Sequence, residues 1–128
     1  MTGKKQAPGL TRIYRAFFYS MKGFKAGWIN EAAVRQEIVL AFILTIVSFF
    51  IASNLAELLI LIILPFLTVA FELANSAIEA CIDRIGPERH ELSGRAKDLG
   101  SACVFVLLVL TSLTYVIIGL KKLGIIYF

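Results

Sequence analysis

Residues 99–120 run for 22 positions without a charged side chain, and no other feature limits the fold so tightly. A helix rises ~1.5 Å per residue, so this run is long enough to cross the ~30 Å hydrocarbon core of a bilayer. A helix also bonds its own backbone internally, as lipid demands. A second uncharged run, 38–52, is shorter and needs a few polar-ended residues ahead of it to cross. A third apolar segment begins near residue 58, continues to about 82 and contains Pro65. That proline removes one backbone hydrogen bond and is expected to bend the helix, a fault that neighbouring helices can cover. With 59% hydrophobic residues in 128, the chain is too apolar for a soluble domain and too short for more than one. The expectation is an all-α membrane protein, one domain over 1–128, with spans at about 34–52, 57–82 and 98–120.

Orientation follows from the 13 basic residues. Lys4, Lys5, Arg12, Arg15, Lys22, Lys25 and Arg35 precede the first span, Arg84, Arg89, Arg95 and Lys97 lie between the second and third, and the turn at 53–57 has none. The positive-inside rule places the amino terminus and the 83–98 loop in the cytoplasm. Lys121 and Lys122 then fall outside, against the rule but outnumbered. A net charge of +4 suits an anionic leaflet or a phosphorylated ligand, and nothing in it points to nucleic acid. No cleavable signal is expected, because the amino-terminal segment is basic and interrupted. Cys81 and Cys103 lack metal-ligand spacing and are read as reduced packing residues.

Residues 1–9, with Gly3, Pro8, Gly9 and two lysines, read as a disordered lead. From Leu10, the apolar Leu10, Tyr14, Phe17, Met21, Phe24 and Trp28 recur at alternating spacings of four and three, with Arg12, Arg15, Lys22 and Lys25 elsewhere on the wheel. This is an amphipathic basic helix over about 10–28. It either lies on the membrane surface or packs against its own bundle. Asn30, Glu31, Arg35, Gln36 and Glu37 form a polar patch before the first span, as an ordinary helix terminus would.

Chemistry concentrates in the third apolar segment and the loop after it. Glu72 and Glu79 are seven residues apart, with Asn75 between them and Asp83 just beyond, so all four line one helix face. Ionisable groups at membrane depth are expensive and mark a functional site. In the 83–98 loop, Gly86-Pro87 ends one helix and Ser93 is a plausible cap for the next. Two carboxylates from different helices, such as Glu31 and Glu79, suit Mg²⁺, which takes one or two carboxylates plus substrate phosphates. Lys97 and a nearby arginine suit phosphate oxygens. Glu72, ~10 Å deeper than Glu79 by helical rise, suits a base for a lipid hydroxyl. His90, without a histidine partner, reads as a loop hydrogen-bonder rather than a metal ligand. There is no Walker A pattern and no protein-kinase signature. The residues alone leave open a membrane phosphotransferase and a small cation-coupled transporter, with the charged loop favouring the first.

The string ELANSAIEA at 72–80, DRIG at 83–86 and HELSGRAKDLGS at 90–101, with TRI at 11–13 and WINEAA at 28–33, closely resembles the small prokaryotic diacylglycerol kinases. The resemblance implies a homotrimer of three-span subunits in the bacterial inner membrane, each with an amino-terminal surface helix and with active sites shared between subunits. It implies transfer of the γ-phosphoryl group of MgATP to diacylglycerol, giving phosphatidic acid. Glu72 then matches the general base, and Glu31 and Glu79 the metal ligands. Arg12, Tyr19, Glu31, Glu79, Glu88, Arg89, His90, Lys97 and Asp98 match nucleotide-contacting positions, with Asn75 and Asp83 as supporting polar groups. Lipid-contacting positions are matched by Arg12, Ala16, Phe17, Phe18, Tyr19, Ser20, Met21, Lys25, Ala26, Gly27, Trp28, Ala33, Val34, Arg35, Gln36, Glu37, Glu72 and Ser101. Phe17 and Phe18 depart from the small residues often found there and would narrow lipid access. The related undecaprenol kinases share the ExxNxxxE core, whereas the full HELSGRAKDLGS run is similar to the diacylglycerol branch.

Overall fold

The computed structural model describes residues 9–127. These form four α-helices in chain order: α1 (Gly9–Asn30), α2 (Ala32–Ile51), α3 (Leu55–Ile85) and α4 (Glu91–Lys122). The last three are each long and apolar enough to cross a membrane. The lead expected at 1–9 lies outside the described residues except for Gly9, which already belongs to α1.

Each break has a local cause. α1 and α2 are separated by Glu31 alone, held extended at φ −115° and ψ 113°. Arg35 reaches back from α2, and its Nη1 donates to the carbonyls of Trp28 (2.8 Å) and Ile29 (3.2 Å), bonding carbonyls at the end of α1. α3 starts at Asn54, whose Oδ1 accepts from the Glu57 amide at 3.0 Å, an ordinary N-cap. It stops at Gly86, whose φ of 149° is a conformation other residues rarely adopt. The start of α4 corrects the sequence reading: His90, not Ser93, is the cap, its Nδ1 accepting from the Leu92 amide at 3.2 Å. The helix thus begins seven residues before the expected span, and His90 is the loop hydrogen-bonder foreseen.

α3 is the central helix, packed on α2 along one side and α4 along the other, while α1 touches only α2 and α3. The buried residues show how the helices mesh. They are Val34, Ala41 and Ser48 on α2, Leu61, Pro65, Thr68, Val69, Glu72 and Asn75 on α3, and Gly100, Val104, Leu107, Thr111 and Ile118 on α4. Spacings of three, four and seven are those of a coiled-coil seam, and small or hydroxylated residues on it let helices approach closely in lipid. The hydroxyls of Thr45, Ser48 and Thr68 donate to carbonyls of their own helices, so they meet no unmet demand in the bilayer. The carboxylate stripe is the continuation of the α3 seam toward its carboxyl end.

Pro65 sits within α3 without ending it. Having no N–H, it leaves the carbonyl of Leu61, four residues back, without its helical donor. The Tyr115 hydroxyl of α4 fills that role at 2.8 Å, and the carbonyl of Leu44 on α2 lies 2.9 Å from the same oxygen. One hydroxyl proton therefore serves a point where three helices meet. Tyr115→Phe is expected to lower the stability of the folded protein by about 1 to 2 kcal/mol while leaving turnover unchanged, as measured by detergent-induced unfolding beside an activity assay.

An ion pair joins α3 to α4 at each end. Lys121 Nζ lies 2.8 Å from Glu57 Oε1, and Lys97 Nζ lies 2.5 Å from Asp83 Oδ1. The first of these neutralises one of the two lysines that run against the charge rule.

Candidate active site

The α3 stripe passes from buried to open along its length. Glu72 and Asn75 are 8% and 7% exposed, Glu79 is half-buried and Asp83 exposed. The depth order read from helical rise is therefore also an order of solvent access. Asn75 Nδ2 donates to Glu79 Oε1 at 3.1 Å. The charges of Glu37, Glu79 and Glu31 all lie within electrostatic reach of Glu72, and those of Asp83 and Glu79 reach Lys97. Five carboxylates and a lysine, from the α1–α2 junction, α2, α3 and α4, thus lie toward one end of the bundle. Such a concentration of negative charge at a membrane boundary is costly unless cations or phosphate-bound metal answer it.

A cleft of 500 Å³ opens beside the stripe, between α1 and α3. Glu31, Phe24 and Ser20 line one wall, and Leu73, Ser76 and Ala80 the other. A second hollow of 520 Å³ lies at the α3–α4 connection, with Ile82, Ile85, Pro87 and Leu92 as apolar lining and Glu88, His90 and Ser93 as polar groups.

Among the residues expected to contact lipid, Ser20, Ala26 and Gly27 line the first cleft. Gly27 and Val34 are buried; a Cβ on Gly27 would stand 2.9 Å from Leu73 and 3.1 Å from Val34. Within one chain Leu73 and Val34 form the floor on which Gly27 of α1 rests, and Arg35 is engaged with the end of α1. Arg12, Ala16, Phe17, Phe18, Tyr19, Met21, Lys25 and Trp28 are exposed on α1, with Lys22 Nζ 5.9 Å from the centre of the Tyr19 ring. Ala33 and Gln36 are exposed, Glu37 half-buried, and Ser101 is exposed on α4. Arg89 and Asp98 are exposed, and Lys97 is occupied by Asp83. Gly23, Ser76 and Ala77 of the cleft wall, and Tyr115, are the residues that sequence reasoning missed. Small side chains in a uniformly apolar helix carry no signal of which face is open.

As for metal, no group of three or more His, Cys, Asp and Glu side chains is gathered among the described residues. Glu31 and Glu79 carry hard carboxylate oxygens on two separate elements, the α1–α2 junction and α3. Mg²⁺ keeps waters and takes its remaining ligands from substrate phosphates, so carboxylate oxygens of this kind are the ligand type it accepts.

Fold and site together define a small α-helical membrane protein with an ionisable centre at one boundary of the bilayer. The family model for prokaryotic diacylglycerol kinase matches residues 18–119. The diacylglycerol kinase of Escherichia coli (strain K12) is 46% identical over 116 residues, covering 91% of this chain and 95% of that one. Those of Haemophilus influenzae and Pseudomonas aeruginosa are 46% and 43% identical, covering 84% and 87% of this chain and 91% and 90% of their own lengths. The chain belongs to the prokaryotic diacylglycerol kinase family.

Proposed function

We infer that this protein is a diacylglycerol kinase that transfers the γ-phosphoryl group of ATP to the free hydroxyl of diacylglycerol, giving phosphatidic acid and ADP. The observation that carries the reading is the graded stripe Glu72, Asn75, Glu79 and Asp83, opening beside a lipid-sized cleft in a chain of this family. Glu72, deepest and nearly dry, takes the proton of the lipid hydroxyl as its oxygen attacks the γ-phosphorus. The bond from that phosphorus to the β,γ-bridging oxygen breaks, and ADP departs. Lys97 swings from Asp83 to offset charge on the phosphate oxygens. Glu31 and Glu79 would hold Mg²⁺, which supplies charge neutralisation to the phosphates when bound. Glu88, Arg89, His90 and Asp98 receive the rest of the nucleotide at the α3–α4 hollow, and Arg12 and Tyr19 approach from α1.

ATP is a cytoplasmic substrate, so the amino end and the 83–98 loop face the cytoplasm, in keeping with the basic residues there. The chain resides in the inner membrane as a homotrimer, a state supported by the family resemblance and by the broad apolar faces of α2 to α4. The exposed apolar residues of α1, Leu10 and Tyr14 through Trp28, suit a helix lying at the headgroup level and guiding lipid to the cleft. Phe24 lines that cleft, so Phe24→Asp is expected to raise KM for diacylglycerol on the order of tenfold with ATP affinity kept. Equal loss of both would make α1 purely structural.

The direct test gives the purified protein ATP and Mg²⁺ with diacylglycerol or undecaprenol in mixed micelles and measures phosphorylated lipid. Phosphatidic acid is expected; undecaprenyl phosphate alone, or substrate flux in liposomes without stoichiometric ATP use, would replace this reading. Neither alternative is favoured, since the relatives matched over most of the chain are named diacylglycerol kinases.

A further inference from the structure

On the α4 seam, positions 104, 107, 111 and 118 carry Val, Leu, Thr and Ile, and position 100 carries no side chain at all. The space a side chain would take there is filled from α3. A Cβ built on Gly100 would collide with Oδ1 of Asn75, with Cγ of Asn75 3.3 Å away and Cδ1 of Ile78 3.7 Å away. Asn75 is 7% exposed, and chemistry fixes which way its amide points. Its Nδ2 donates to Glu79; turned over, the amide would set an acceptor oxygen against a carboxylate. Oδ1 is consequently pressed toward the bare Cα of Gly100, and it has no hydrogen-bond partner among the described residues. An amide held with one end bonded and the other unbonded is held by the space around it.

We propose that Gly100 is a positioning residue for phosphoryl transfer: its missing side chain seats the Asn75 amide, which in turn aims the Glu79 carboxylate. The inference rests on the kinase reading of the site. A Cβ at position 100 forces either the amide to turn away or α3 and α4 to part, and each breaks the bond from Asn75 to Glu79. Misplacement of a catalytic constellation by about 1 Å costs about 10²-fold in rate. A glycine in a helix interior would ordinarily be improved by alanine, so a loss of function here runs against the intrinsic trend. Gly119, in the same helix with open space around it, isolates that trend.

The experiment compares full-length wild type, Gly100→Ala, Asn75→Ala, the double variant and Gly119→Ala in micelles. It measures kcat, both KM values and the ¹⁵N side-chain amide resonance of Asn75, assigned by its absence from Asn75→Ala. Gly100→Ala is expected to lower kcat about 10- to 100-fold with both KM values held within about twofold, and to move the Asn75 resonance. Gly119→Ala should change neither kcat nor the resonance. In the Asn75→Ala background, adding Gly100→Ala should cost less than about twofold, because the two act as one unit. Wild-type kcat in Gly100→Ala, an unmoved resonance, or losses that multiply would each overturn the proposal. If Gly100→Ala fails to fold, the double variant has room for the new Cβ and must fold; a double variant that stays unfolded overturns it too. Failure of the wild type to phosphorylate any lipid would instead refute the kinase reading, and the movement of the resonance would still be read.

Discussion

Glu72→Gln is expected to lower kcat by about 10² to 10⁴-fold while ATP binding and the Mg²⁺ requirement survive. Glutamine keeps the shape and hydrogen bonding of the side chain but cannot accept the hydroxyl proton. Glu72 is buried on the α3 seam, about two turns deeper than Glu79, and the proposed mechanism brings the glycerol hydroxyl of the lipid to that depth. Glu31, Glu79 and Lys97, the groups assigned to phosphate and metal, are untouched by the change. The decisive measurement is ATP affinity and turnover on one preparation. Lost ATP binding would make Glu72 a ligand or a structural group, and unchanged turnover would end its candidacy as base.

Glu79→Gln is expected to depress turnover on the order of 10²-fold by a different route, shifting the Mg²⁺ titration to higher concentration with the fold intact. The change removes a negative charge from the half-buried middle of the stripe and leaves Asn75 Nδ2 facing a side chain that can still accept through its oxygen. Structure should therefore be preserved while metal dependence weakens. A near-normal activity with an unaltered Mg²⁺ curve would remove Glu79 from the metal site and leave Glu31 without its partner.

Polarity is what made the carboxylate half of α3 legible. Glu72, Asn75 and Glu79 stand out because their residue types are expensive in lipid, and their spacing gives the face directly. The other half of the same seam, Leu61, Pro65, Thr68 and Val69, was hidden, since a helix that is apolar all round does not reveal which side meets protein and which meets lipid. The start of α4 was misplaced by three residues because two side chains near it can cap. Residue type favours Ser93, whereas the helix begins where His90 Nδ1 accepts from the Leu92 amide. Gly100 and Tyr115 act through contacts with residues 25 and 54 positions away, and pairings of that range leave no local trace.

The bond between Tyr115 and Leu61 also bears on the order in which the molecule is made. Chains are synthesised from the amino end, so α2 and α3 enter the bilayer before α4 exists. During that interval the Leu61 carbonyl, deprived of a donor by Pro65, faces hydrocarbon, where an unbonded polar group costs several kcal/mol. The last helix to emerge brings the hydroxyl that answers it, close to the carbonyl of Leu44 as well. The defect carried by the nascent pair thus acts as an address for the helix that follows, drawing α4 into register about a turn and a half inside the end closed by Glu57 and Lys121.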